Sequence, residues 1–362
     1  TYSLFDSGAA NDNYSSRYIN IFLYLDVDAA NCLPTVGSMQ GAFASFMICG
    51  HTNKEKDTVL FIDPGFPVHK FQTKILGLKM ESFDIYEYRG EKLREKLESI
   101  FATAKIHSVL YSNPNNPTWV CLTDEELKII GELANKYDVI ILEDLAYFGM
   151  DFRKDYSHPG VAPFQPTVGK YTDNYILMLS TSKAFSYAGE RCAVLGISNK
   201  LAERRYPDLK EFCGQEIFAR GIIFGALHPL SSGTSHSAQY AVAGVMKAVN
   251  DGTYNYRDDV LEYGKKAKLM KDAFTSNGFK FTYDEDLGEP IADGFYFTYY
   301  YPGFTGAELL EKMLYYGISA ISLDTCGSTR QGIRACTSLI QRDEIPVLAE
   351  RLRRFAEDHP IK

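Results

Sequence analysis

The run YILMLSTSK, residues 175–183, is the part of this 362-residue chain from which its fold can best be inferred. Its first five residues are apolar, which is typical of a strand that is buried on both faces of a sheet. Hydroxyl side chains and then Lys183 follow the apolar run, and Arg191 comes shortly afterwards. The sequence therefore predicts an amine, hydroxyls and a guanidinium group close to the end of one buried strand.

Further apolar runs occur along the same part of the chain. Most of them stop at polar or turn residues, and they occupy residues 59–62, 108–111, 139–142 and 192–197. Helical patterns lie between them, one of which begins after Thr123, a favourable N-cap, with acidic residues in its first turn. Buried strands that alternate with helices predict a mostly parallel α/β sheet, in which functional residues gather at the carboxyl ends of the strands.

The pattern changes near residue 245. Residues 231–276 are predicted to be helical with a break near Asp251, and a strongly aromatic strand follows at residues 295–300. The later predicted elements are a helix, a strand and a closing helix at residues 307–316, 332–336 and 345–355. We therefore predict a smaller α+β domain at residues 246–362, a large domain at 29–245 and an N-terminal segment at 1–28.

Composition excludes several classes of function. The chain is 45% hydrophobic and 23% charged with a net charge of −8, and it has no basic block that would bind nucleic acid. No apolar run approaches the roughly 18 residues of a membrane span. Its seven cysteines include no CxxC pair, so neither a disulfide framework nor a metal cluster is predicted. A reducing compartment, the cytoplasm, is expected.

Three motifs lie at predicted strand ends or helix starts. GSMQG at residues 37–41 precedes an apolar helix and could bind a phosphate through free backbone N–H groups, although such a turn also fits an ordinary cap. NPNNPT at residues 113–118 has two prolines that fix its path, and it could hold an asparagine side chain or be a plain turn. Asp144 and Tyr147 could contact a pyridine ring, or be an N-cap and a packed tyrosine.

Lys183 and Arg191 can be interpreted in two ways. A lysine can bind an aldehyde covalently while a nearby guanidinium binds a phosphate, and pyridoxal phosphate requires both. The same two residues also fit an exposed lysine and a solvated arginine.

The motifs GSMQG, DPGF, NPNNPT, DLAY, STSK with GER, and GIRA follow one another in this order. With them, residues 30–345 resemble the class I/II aminotransferase family of fold-type I pyridoxal-phosphate enzymes. The resemblance implies the PLP-dependent transferase fold type I, an α/β fold with a mostly parallel seven-stranded sheet in a large domain and a smaller α+β domain. It also implies a homodimer.

The resemblance assigns a role to each candidate residue. The catalytic residues would be Lys183, bound to the cofactor as a Schiff base, Asp144 at the pyridinium nitrogen and Tyr147. Besides these three, the cofactor pyridoxal 5'-phosphate would contact Ser38 and Met39, Phe66 on the ring face, Asn116 on the phenolic oxygen, and Ser180, Ser182 and Arg191 on the phosphate. Arg334, with Asn116, would bind the substrate α-carboxylate. No metal is expected.

Physical chemistry supports these roles. A free lysine has a pKa of about 10.4, so Lys183 must be bound as an imine or have its pKa lowered before it can move a proton. The planar guanidinium of Arg334 matches a carboxylate with two parallel hydrogen bonds. The resulting hypothesis is an aminotransferase that moves an amino group between an amino acid and a 2-oxo acid by a ping-pong mechanism. The sequence does not identify the amino donor.

Other functions fit the same residues. A C–S β-lyase would use the same cofactor site, and racemases and decarboxylases occur on this fold. A non-catalytic pyridoxal-phosphate-binding regulatory module is less consistent with the sequence, because no DNA-binding motif is found and every catalytic position is filled.

Two features depart from the family pattern. Trp119 stands where the family usually has glycine, and it is expected either to narrow the site or to pack under the loop. The GSMQG motif lies close to residue 1, so the N-terminal segment is expected to be short or incomplete. Neither Tyr2 nor Tyr14 can be assigned as the tyrosine that family members lend to the partner's phosphate site.

Overall fold

A computed structural model describes residues 13–361 of the chain. Its central sheet has seven strands, which are β1 Cys32–Thr35, β2 Thr58–Asp63, β3 Lys79–Asp84, β4 Ile106–Ser112, β5 Ile140–Leu145, β6 Tyr175–Ser180 and β7 Ala193–Ile197. Their spatial order is β1-β7-β6-β5-β4-β2-β3. Strand β7 pairs antiparallel with β1 and β6, and all other pairs in this sheet are parallel. The predicted mostly parallel seven-stranded α/β sheet is confirmed.

Helices cover both faces of this sheet. In its part of the chain they are α1 Tyr14–Leu23, α2 Gly37–Cys49, α3 Pro67–Ile75, α4 Glu91–Phe101, α5 Asp124–Tyr137, α6 Thr181–Ala184, α7 Asn199–Glu203, α8 Pro207–Cys213 and α9 Phe218–Arg220. A π-helix, Gly221–Leu227, leads into α10 His228–Ser231 and α11 His236–Asn250. Strands β2, β4, β5 and β6 are buried along their whole length, because two separate apolar clusters pack on the two faces of the sheet.

The predicted N-cap at Thr123 is confirmed. The Thr123 side chain accepts a hydrogen bond from Glu126 N, and the Glu126 carboxylate accepts one from Thr123 N, so the two residues form a capping box that starts α5. This start fixes where the NPNNPT loop leaves β4 and enters the helix.

A second sheet lies in the C-terminal part of the chain. Its strands are β8 Lys280–Phe281, β11 Tyr296–Tyr300, β12 Ile321–Ser322 and β13 Ile333–Cys336, in the antiparallel order β12-β13-β11-β8. Strands β9 Glu285–Asp286 and β10 Glu289–Pro290 form a separate hairpin. Helices α12 Tyr256–Thr275, α13 Gly306–Leu314 and α14 Ile345–Asp358 pack on the sheet around an apolar cluster of their own.

The predicted helix break is confirmed, because α11 ends at Asn250 and α12 begins at Tyr256. The domain boundary near residue 245 stays a prediction and falls within α11. Within the segment 1–28, α1 packs against α11, whereas residues 1–12, including Tyr2, lie outside the described residues. Among residues 13–361, no helix is long and apolar enough to span a lipid bilayer.

Candidate active site

The first turn of α2 forms one end of the candidate site. Gly37 begins this helix with a φ of +68°, in the left-handed region that favours glycine. A Cβ atom added to Gly37 would stand 2.3 Å from Nη2 of Arg191, so the guanidinium lies directly against the glycine backbone. The N–H groups of Ser38 and Met39 belong to the same first turn, where backbone donors have no partner within the helix. This end of the site suits an anion.

The serines at the end of β6 continue this surface. Ser180 is the N-cap of α6 and accepts a hydrogen bond from Ser182 N at 3.2 Å. Arg191 Nη1 lies 3.5 Å from Ser182 Oγ and donates to the carbonyl oxygen of Ala188 at 2.6 Å. The structure thus brings Ser182 and Arg191 together with the start of α2, as the sequence predicts for a phosphate-binding group.

Lys183 projects from α6 into apolar surroundings. Its Nζ lies 4.8 Å from the centre of the Phe295 ring, and no carboxylate of the described residues pairs with it. Burial lowers the pKa of Lys183, the nearby guanidinium groups of Arg334 and Arg191 lower it further, and Cys336 opposes them. An amine in such surroundings loses its proton more readily than an exposed lysine does, and it is then a nucleophile and a base.

Asp144 is the last residue but one of β5 and is 7% exposed. Its Oδ1 accepts a hydrogen bond from Ala146 N at 3.0 Å, and its Oδ2 lies 3.6 Å from Nε2 of His69. That His69 nitrogen is buried and has no hydrogen-bond partner among the described residues. Phe66 packs edge-on against His69, with ring centres 5.6 Å apart. Asp144 and Phe66 therefore both contact one histidine on α3.

Tyr147 lies three residues after Asp144, and its ring is buried. Its hydroxyl donates to the hydroxyl of Tyr296 at 3.2 Å. Burial raises the pKa of Tyr147 well above its usual value, and the neighbouring Tyr296 raises it further. The phenol therefore stays protonated and remains a hydrogen-bond donor.

Arg334 and Asn116 meet across the two sheets. Arg334 Nη1 donates to Asn116 Oδ1 at 2.8 Å, and the guanidinium carbon lies 4.2 Å from the centre of the Tyr296 ring. Nε of Arg334 is buried without a hydrogen-bond partner among the described residues. A half-buried guanidinium with an unused donor is suited to an incoming carboxylate.

Trp119 packs under the loop, which was one of the two outcomes expected for it. Its backbone has a φ of 64°, the conformation in which glycine is most easily accommodated. Its indole is fully buried against Gly294, and its ring centre is 5.3 Å from that of Tyr147. Trp119 thus packs against Tyr147, which is one of the candidate site residues.

Sequence reasoning missed three residues of this site, which are His69, Phe295 and Tyr296. His69 stands within a helical turn of Phe66, but no pattern connected it with Asp144. The two aromatic residues were predicted to lie in a strand, and their abundance gave no reason to place them at Lys183.

One cavity of the structure does not coincide with the candidate site. It has a volume of about 450 Å³ and is lined by residues that include Asn113, Cys121, Asp151, Arg153 and Tyr156. None of the predicted site residues lines it. We therefore assign the site from the polar groups that meet around Lys183.

This combination of fold and site defines a class of proteins. Residues 15–352 match the sequence model of the family described as aminotransferase class I and II, and the chain belongs to that family. Its members depend on pyridoxal 5'-phosphate.

The relatives that this chain resembles include an aminotransferase and a lyase. The chain is 28% identical over 177 residues to a probable aspartate aminotransferase of Methanocaldococcus jannaschii, an alignment that covers 49% of this chain and 44% of the relative. It is 25% identical over 174 residues to a cystathionine beta-lyase of Corynebacterium glutamicum, covering 48% and 44%. Each alignment thus spans less than half of the relative's length.

Solved structures give a more complete match in fold. An aminotransferase from Eubacterium rectale aligns with a TM-score of 0.73, covering 98% of this chain and 81% of that one at 18% identity. This similarity confirms the fold.

The residues present fit pyridoxal 5'-phosphate. The open turn at Gly37 with Arg191 suits its phosphate, and Lys183, with its lowered pKa, suits its aldehyde. The buried carboxylate of Asp144 suits a protonated ring nitrogen. Among the described residues, no group of three or more His, Cys, Asp or Glu side chains could hold a metal ion.

Proposed function

We propose that this chain is a pyridoxal-phosphate-dependent aminotransferase that moves an amino group between an amino acid and a 2-oxo acid. The observation that supports this most directly is the position of Lys183. Its amine lies against Phe295, and its pKa is lowered first by burial and further by the guanidinium groups of Arg334 and Arg191. The guanidinium of Arg191 suits the phosphate of the cofactor, and that of Arg334 suits the carboxylate of a substrate. The amine of Lys183 would act on the substrate held by these two groups.

Lys183 is the group that moves the proton. The cofactor supplies, when bound, a ring that stabilises negative charge on the amino acid's Cα. Lys183 Nζ would take the proton from Cα and later release it, so one amine would serve as base and then as acid. Burial at Phe295 helps to keep this amine unprotonated before it takes the first proton.

The remaining residues bind and orient. Arg334 holds the α-carboxylate, and its bond to Asn116 fixes the direction in which the guanidinium faces. Asp144 would hold the ring nitrogen of the cofactor in its protonated form, and Tyr147 would offer its hydroxyl as a donor to the ring oxygen. By fixing the carboxylate, Arg334 would orient the substrate so that loss of the Cα proton is favoured over decarboxylation.

Spectroscopy of the purified protein tests this proposal. We expect the protein incubated with pyridoxal phosphate to be coloured, and a panel of single amino acids to convert the absorbance to that of the pyridoxamine form. Lys183→Ala should abolish the conversion, whereas Lys200→Ala, which removes an exposed lysine, should not. Borohydride should attach the cofactor to Lys183. A colourless protein, or full turnover by Lys183→Ala, would contradict the proposal.

A second candidate function is β-elimination, which is supported by the similarity to the cystathionine beta-lyase. It requires the same proton removal by Lys183, but the substrate must carry a leaving group on Cβ. An amino acid added alone separates the two functions. Pyruvate and ammonia from a sulfur-containing amino acid indicate the lyase, and the pyridoxamine absorbance indicates the aminotransferase.

We also propose that the chain works in the cytoplasm as a homodimer of two-domain subunits, with a large domain at residues 29–245 and a small one at 246–362. Free cysteines that are buried and unpaired, such as Cys32, Cys49, Cys192 and Cys326, support a reducing compartment. The separate apolar cluster under the second sheet supports the small domain. Light scattering at several concentrations tests the dimer, and limited proteolysis tests the domain boundary.

A further inference from the structure

Tyr296 contacts two site residues at once. Its ring centre lies 4.2 Å from the guanidinium carbon of Arg334, and its hydroxyl lies 3.2 Å from that of Tyr147. The side chain is 5% exposed, so both contacts are shielded from water. No motif in the sequence indicated this residue.

The strand register explains the first contact. In the antiparallel pair of β11 and β13, Tyr296 lies opposite Cys336 and Thr298 lies opposite Arg334. Residues two apart on a strand share a face, so Tyr296 and Arg334 are diagonal neighbours on the same face of the sheet. The aromatic ring therefore lies beside the guanidinium because of the backbone pairing, and not because of one chance rotamer.

The second contact joins two phenols. Each hydroxyl has one proton and can also accept a hydrogen bond. Tyr147 donates to Tyr296 in this structure. When the Tyr147 proton is used elsewhere, Tyr296 can donate to the Tyr147 oxygen across the same distance, because a hydroxyl can rotate.

We propose that Tyr296 is a positioning residue that serves both ends of the substrate site, with its ring supporting Arg334 and its hydroxyl orienting Tyr147. This inference rests on the proposed function, in which Arg334 binds the α-carboxylate and Tyr147 donates to the ring oxygen of the cofactor. Tyr296 itself need not touch either ligand.

The ring and the hydroxyl should have separable effects. A cation is attracted to the face of an aromatic ring, and more strongly when both are desolvated, so the ring holds Arg334 in place for a carboxylate. A phenol that accepts a hydrogen bond becomes a stronger donor itself. Tyr296 should therefore strengthen the bond from Tyr147 to the negatively charged ring oxygen, which makes that oxygen hold a shared proton less tightly.

Two substitutions separate these effects. Tyr296→Phe keeps the ring and removes the hydroxyl, whereas Tyr296→Met removes both and fills much of the space with a flexible apolar chain. Tyr299→Phe is the matched control, because Tyr299 lies on the same strand in a different apolar cluster with its hydroxyl near Met313. The measurements are the affinity for propionate, followed through the absorbance of the bound cofactor, and the midpoint of the pH-dependent change in that absorbance.

For Tyr296→Phe we expect propionate affinity within twofold of the original protein, and a midpoint raised by about half a pH unit. For Tyr296→Met we expect the raised midpoint together with a loss of about tenfold in propionate affinity. Tyr299→Phe should change neither value.

Two results would overturn the inference. One is an unchanged midpoint in Tyr296→Phe, and the other is unchanged propionate affinity in a folded Tyr296→Met. Thermal unfolding checks that each variant folds, and if the Met variant does not, the midpoint of the Phe variant decides alone. If the original protein binds no cofactor, the proposed function fails; if it binds both ligands and Tyr296 has no effect, only this inference fails.

Discussion

The guanidinium of Arg191 lies against the backbone of Gly37, and a Cβ atom added to the glycine would stand 2.3 Å from Arg191 Nη2. Gly37 also has a φ of +68°, which disfavours other residues. Both features are needed if Arg191 and the N–H groups of the first turn of α2 are to reach the same phosphate. The glycine therefore serves the candidate binding site as well as the turn.

Gly37→Ala should weaken cofactor binding. The added methyl group would push Arg191 away from α2, and the positive φ would cost an alanine about 1–2 kcal/mol. Loss of one charge-assisted hydrogen bond raises a dissociation constant by about tenfold or more. The dissociation constant of pyridoxal phosphate, measured by fluorescence titration of the apoprotein, tests this expectation.

Gly189→Ala is the control for this substitution. Gly189 lies close to Arg191 in the sequence, but a Cβ atom there would meet nothing within 4 Å. The control should bind the cofactor as the original protein does. Equal affinities for all three proteins would show that Arg191 does not depend on the glycine.

Asp144→Asn should slow the reaction with an amino acid while leaving the cofactor bound. An amide cannot hold a proton on the ring nitrogen as a carboxylate does, and loss of one such preorganised group costs about a hundredfold or more in rate. Glu143→Gln is the neighbouring control, because Glu143 points to the other side of β5 and contacts Tyr111 and Thr167. Stopped-flow absorbance with one amino acid measures both rates. A similar loss in both variants would point to damage to the strand instead.

Features that depend on neighbouring residues in the sequence could be predicted, whereas contacts between distant parts of the chain could not. The buried strands β4, β5 and β6 were found because burial on both faces leaves a continuous apolar run. Strand β3 was missed because most of it is exposed, and β1 because it is short and contains Pro34. The resemblance supplied the candidate residues.

The contacts that join the site could not be predicted in the same way. His69 approaches Asp144 from another element, and Tyr296 reaches Tyr147 from 149 positions along the chain. Local patterns contain no information about such pairs, because they arise only when elements that are far apart in the sequence pack together. These contacts also involve residues without a distinctive local motif.

Stability should depend on pH through Glu143. Burial raises the pKa of this carboxyl group from 4.5 to about 7, and hydrogen bonds from Thr167, Val168 and Tyr111 only partly oppose that effect. Between these pH values the folded protein binds more protons than the unfolded chain, so its stability falls as the pH rises through this window. The loss would reach up to about 3 kcal/mol, because each pKa unit corresponds to about 1.4 kcal/mol.

Glu143→Gln should remove this contribution. Urea unfolding of the apoprotein at pH 4.5, 6 and 8 should show that the difference in stability between the two proteins changes in favour of glutamine as the pH rises. Glu98→Gln, an exposed control paired with Lys136, should show no such change in that direction. A difference for Glu143→Gln that is constant with pH would mean that this carboxyl group does not titrate in the window.

Trp119 and Gly294 should be energetically coupled. A Cβ atom on Gly294 would lie 2.1 Å from the indole, so Gly294→Ala alone should destabilise the protein by about 1–3 kcal/mol through overpacking. Trp119→Gly relieves the left-handed backbone but leaves a cavity beside Tyr147, and removal of a buried tryptophan typically costs about 3–5 kcal/mol. In the double variant the alanine has space, so urea unfolding should give a coupling energy of at least about 1 kcal/mol. Trp119→Phe keeps a ring against Tyr147 and should lose less stability than Trp119→Gly. Additive effects of Gly294→Ala and Trp119→Gly would mean that the indole does not occupy the space above Gly294.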